Sequence, residues 1–92
     1  MKIVVYDEAG EELSAAAAWY EQEREGLGDD LLAEADRVLG AIAASPATWP
    51  FVLGNRVARR LLFTRFPYAA YYVGADAVAV EKETVEVQAG IP

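Results

Sequence analysis

Arg56, Arg59, Arg60 and Arg65 stand in residues 38–75, a stretch without Asp or Glu, and Tyr68, Tyr71 and Tyr72 follow close behind. Guanidinium groups and phenols on an open sheet face suit the recognition of phosphates or peptides. The guanidinium presents a planar fork of donors, and the phenol adds a ring and a hydroxyl. The competing reading is structural: the arginines line a solvated strand and pair with acidic helices, and two of the three tyrosines are core or edge aromatics. Arg59 and Arg60 are neighbours in a predicted strand, so they point to opposite faces. One looks to solvent or a partner. The other snorkels past the helices or pairs with a helix acid.

Other chemistries are excluded by residue type. The sequence has no His and no Cys. Ser-His and Cys-His nucleophile pairs are therefore absent, as are a disulfide framework and thiolate or imidazole metal ligands. Carboxylates alone are an unusual zinc site, and no metal or cofactor is expected. Gly26-Leu27-Gly28 lacks the preceding strand and later glycine of a phosphate-binding loop. Glu11-Glu12 and Asp29-Asp30 are the paired carboxylates, and their places at helix starts and on a polar face assign them to capping and solvation.

The elements that must position these groups fit one small domain spanning residues 1–92. Apolar residues make 54% of the chain, which suffices for one modest core and rules out disorder. Net charge is −7, but residues 1–37 carry −8, residues 38–75 carry +4 and residues 76–92 carry −3. An anionic partner would have to meet the middle segment. The N-terminus turns acidic at Asp7, too early for a signal-peptide core. The longest uncharged run, residues 38–55, contains Pro46 and Pro50, so it is no membrane helix. A soluble cytoplasmic protein is expected.

Residues 1–6 read as a strand. Leu13, Ala16, Ala17 and Tyr20 fall on one face of a helix over residues 8–25. Gly26 suits its left-handed end, and Asp29 or Asp30 suits the next N-cap. Leu31, Ala35, Val38, Leu39 and Ile42 share a stripe on a second helix over residues 30–44. Gly40 inside that helix predicts close packing. Strands follow over residues 51–53, 57–64, 68–73, 77–80 and 84–88, broken by Phe66-Pro67 because proline cannot donate to a ladder. The fold class is α+β: an N-terminal strand, then an α-helical hairpin packed on one face of an antiparallel sheet, in the order β-α-α-β-β-β.

Glu12-Leu13, Ala18-Trp19-Tyr20-Glu21, Gly26-Leu27-Gly28-Asp29-Asp30, Ile42, Ser45-Pro46, Trp49-Pro50, Val57-Ala58-Arg59-Arg60 and Arg65-Phe66-Pro67-Tyr68-Ala69-Ala70-Tyr71-Tyr72 occur in this order and spacing. Over residues 1–73 the chain resembles ParE-like toxins of the RelE/ParE toxin–antitoxin superfamily. The resemblance implies the same hairpin-on-sheet fold. It also implies the toxin of a type II toxin–antitoxin system, acting by binding its target, DNA gyrase. The implied partner is a ParD- or RelB-like antitoxin, forming a toxin–antitoxin hetero-oligomer. On this reading Arg59, Arg60, Arg65 and Tyr68 contact the target, and Leu13, Trp19, Tyr20 and Tyr71 contact the antitoxin. No catalytic residue is assigned. The alternatives are a RelE-like endoribonuclease cutting mRNA on the ribosome and a diverged, non-toxic antitoxin-binding module. The chain departs from the family in its acidity and in a C-terminus, Val87-Gln88-Ala89-Gly90-Ile91-Pro92, without the family's His, Arg and aromatic tail. The shortened C-terminus favours the non-toxic module.

Overall fold

A computed structural model describes residues 4–5, 7–74 and 77–82. The elements are β1 (Val4–Val5), α1 (Asp7–Glu23), α2 (Leu27–Ala44), β2 (Ala58–Leu62), β3 (Tyr68–Val73) and β4 (Ala77–Lys82). The fold is α+β: two helices against an antiparallel sheet formed by β2, β3 and β4. β1 joins the far side of β4, giving the order β1-β4-β3-β2. Its pairing is parallel, so the sheet is mixed at that edge. The expected strand over residues 84–88 lies outside the described residues. Among the described residues no helix is long and apolar enough to cross a membrane.

The hairpin turn differs from its expected form. α2 begins at Leu27, directly after Gly26 in the left-handed region at φ 88°. Asp29 and Asp30 therefore lie inside the first turn and neither is the N-cap. The side chain that satisfies the orphan donors there is Glu21, on α1. Its carboxylate accepts from Gly26 N–H at 2.9 Å and from Gly28 N–H at 3.0 Å. A negative group at a helix N-terminus is also favoured by the helix dipole. Gly28 is needed for contact: a Cβ there would lie 2.4 Å from the carbonyl oxygen of Ala17. Gly40 is not, since a Cβ there would meet nothing within 4 Å, contrary to the close packing expected of it.

The core lies between the hairpin and one sheet face. Leu13, Ala16 and Ala17 from α1 and Leu31, Ala35, Val38 and Ile42 from α2 meet Tyr68, Ala70, Tyr72, Val78 and Val80 from the sheet. Leu31, Ile42, Val78 and Val80 are fully buried, and each contributes about 1.5–3 kcal/mol through lost apolar exposure. Pro46 follows the last turn of α2, where Ser45 N–H still bonds Ala41 O at 3.2 Å. The Tyr72 hydroxyl donates to the Pro46 carbonyl, tying that end of the helix to β3.

β2 is shorter than expected, and the strand foreseen at residues 51–53 is a single bridge between Phe51 and Arg59. The connection from β2 to β3 is clamped to α2. The buried Glu34 carboxylate accepts from Thr64 N–H at 2.5 Å, from the Thr64 hydroxyl and from Arg65 N–H at 3.1 Å. Phe66 in this turn is buried and packs edge-on against Tyr20, with ring centroids 5.0 Å apart.

Candidate binding surface

Strand register decides which side chains share a face. Arg59 pairs with Tyr72 and Leu61 with Ala70, and Tyr68 pairs with Lys82. Because Ala70 and Tyr72 belong to the core, these residues lie on the helix side. Arg60 pairs with Tyr71, Leu62 with Ala69 and Tyr71 with Ala79, all on the other side.

The four residues expected to contact a target are thereby separated: Arg59 and Arg60 lie on opposite faces, as their adjacency in a strand predicts. Arg59 reaches from the helix side to the preceding loop. Its Nη1 donates to the Trp49 carbonyl at 2.6 Å and its guanidinium lies 3.9 Å from the centroid of Phe51. Trp49 in turn donates from Nε1 to Ala41 O on α2 at 3.3 Å. Arg59 thus pins a loop. Arg65 forms an ion pair with Asp30 at 3.3 Å. Tyr68 is 6% exposed, and burial raises its hydroxyl above the ordinary phenol range, with Tyr20 and Glu12 adding to the rise. Arg60 alone of the four is placed on the face away from the helices. Tyr68 and Tyr72 are core, and Tyr71 is half-buried opposite them, as the structural reading of the tyrosines had it.

The four expected antitoxin contacts also divide. Leu13 is 7% exposed and belongs to the core, and Tyr71 lies on the opposite sheet face. Trp19 and Tyr20 stay together. Trp19 is 57% exposed, and its ring meets Tyr20 edge-on at 5.1 Å.

These two aromatics border a groove of about 370 Å³ lined by Glu12, Ala15, Ala16, Trp19, Tyr20, Tyr68 and Lys82. Glu12, Ala15, Ala16 and Trp19 follow the i, i+3, i+4, i+7 spacing of one helical stripe, which shares Ala16 with the core stripe. The signal is in the sequence, but a stripe of two alanines between Glu and Trp does not read as apolar. Lys82 enters only through its register opposite Tyr68.

A second concavity, of about 430 Å³, is lined by Phe51, Val52, Leu53, Gly54, Asn55 and Arg56. Leu53 at its tip is 98% exposed. The loop is built firmly: Asn55 Oδ1 accepts from Val57 and Ala58 N–H, and Val52 N–H bonds Ala58 O. Among the described residues no group of three carboxylates is placed to hold a metal ion. No protein-family model matches the chain, and no curated protein and no solved structure matches it.

Proposed function

We propose that this chain is the ParE-like toxin of a type II toxin–antitoxin pair. It acts by binding its target, DNA gyrase, and a ParD- or RelB-like antitoxin neutralises it. The reading begins from the ordered motifs of the sequence. It is supported by an architecture of the kind those motifs imply, a helical hairpin layered on an antiparallel sheet.

The observation that carries a binding role is Trp19. A large aromatic more than half exposed, on the lip of an apolar groove, is an anchor for a partner rather than part of the core. A binding mechanism needs no general base, which suits a sequence without histidine.

Induced expression of the full chain in a bacterium, without antitoxin, tests the proposal. Growth arrest with DNA-damage signalling is expected, together with loss of supercoiling by purified gyrase. Normal growth at verified soluble expression overturns it. Ribosome-dependent cuts in mRNA replace it with the endoribonuclease reading.

A further inference from the structure

The groove beside α1 carries a charge pattern that specifies its occupant. α1 holds six acids and no base. Glu21 is committed to the hairpin turn. Glu12 lines one end of the groove, and Glu23 stands one turn beyond Trp19 along the same stripe. Both are exposed. The apolar segment Ala15, Ala16 and Trp19 is thus bracketed by carboxylates eleven residues apart in sequence, about 16 Å along the helix axis. Lys82 stands on the sheet-side lip.

The floor includes side chains from the helix-facing side of the sheet, Tyr68 and, opposite it, Lys82. A helix laid along α1 matches the stripe turn for turn.

We infer that the groove takes an amphipathic helix of a partner protein with basic flanks. Its apolar stripe covers Ala15, Ala16 and Trp19. Lys or Arg near each end, about three turns apart, pairs with Glu12 and Glu23. Its flank toward the sheet carries no cation, because Lys82 repels one there. This rests on the reading of Trp19 as a partner's anchor, and adds the chemistry that the partner's helix must have.

Two synthetic helical peptides with the same leucine stripe test it, one with Lys and one with Glu at the two bracketing positions. Binding to the full chain is measured by calorimetry. The Lys peptide is expected to bind at least about 10-fold tighter than the Glu peptide. Trp19→Ala, at an exposed position, should weaken it by about the same factor. The double variant E12K/E23K should reverse the preference. The control E11K/E25K changes net charge equally but lies off the stripe, and should keep it. Equal affinity for the two peptides, or equal loss in both double variants, overturns the inference. So does a wild-type dimer in sedimentation that Trp19→Ala abolishes, since the groove would then seat a second copy. Growth arrest without the peptide preference leaves the toxin reading standing and removes this one. The preference without growth arrest does the reverse.

Discussion

Glu34 and Thr64, thirty residues apart in sequence, are joined twice: one carboxylate oxygen accepts both the backbone N–H and the hydroxyl of Thr64. The other oxygen accepts Arg65 N–H. Glu34 is 2% exposed, and Arg37 beside it is 4.0 Å away and mostly in solvent. This single carboxylate fastens the β2–β3 turn to α2, and with it Phe66 beneath Tyr20.

Glu34→Ala leaves two backbone donors without their acceptor. A loss of about 1.5–3 kcal/mol is expected, the contribution of hydrogen bonds to a charged acceptor. Urea unfolding of the variant measures it. A change below about 0.5 kcal/mol, the level of an ordinary surface substitution, would mean that water replaces the carboxylate and that the clamp is dispensable.

The same site sets an acid limit on stability. Burial pushes the Glu34 carboxyl upward, but the Thr64 hydroxyl, the two N–H donors and Arg37 outweigh it and hold it below its ordinary value of 4.5. The folded protein thus binds this proton more weakly than the unfolded chain. The stabilisation is present above 4.5 and is lost as pH falls below that value, through the folded one. Urea midpoints between about pH 3 and about pH 6 should fall with acid in the wild type, and less steeply in Glu34→Gln. Parallel curves for the two proteins would assign the acid sensitivity elsewhere.

Gly28 and Gly40 make a matched pair on one helix. Gly28→Ala places a methyl against the Ala17 carbonyl and forces the helices apart, at about 1–3 kcal/mol. Gly40→Ala meets open space and should stabilise by up to about 1 kcal/mol through helix propensity. Thermal unfolding of the two variants should move in opposite directions. A shift of the same sign in both would contradict the tight turn.

Arg59→Lys keeps the charge but loses the flat stacking on Phe51 and the Nη1 bond to Trp49 O. The loop over residues 49–58 should open more often. Amide exchange at Val52, whose N–H bonds Ala58 O, should quicken by about 10-fold, while Ala70 in the central strand stays protected. Unchanged exchange at Val52 would return Arg59 to the list of target contacts.

Much of the architecture is legible in the chain. Alanine-rich 3.6-residue periodicity marks α1, and Phe66-Pro67 marks the break between β2 and β3. β3 falls on the expected residues 68–73 because Tyr and Val suit a pleated, half-buried surface. The start of α2 is not legible, because Asp29-Asp30 look like a cap, whereas the capping group, Glu21, comes from the preceding helix. The candidate groove was half legible: Trp19 and Tyr20 stand out, while Ala15, Lys82 and the buried Tyr68 do not.

Composition and local period settle what each segment of this chain can be. They exclude histidine and cysteine chemistry, separate the acidic first third from the arginine-bearing middle, and lay down two helices and the strands after them. These properties depend on residue type and on neighbours within a few positions. Which arginine pins a loop, which tyrosine is buried and which glutamate clamps a distant turn depend on strand register and helix packing. A shift of one residue exchanges the faces of a strand, and the choice between them is made by side chains thirty or more positions away, once they share a core.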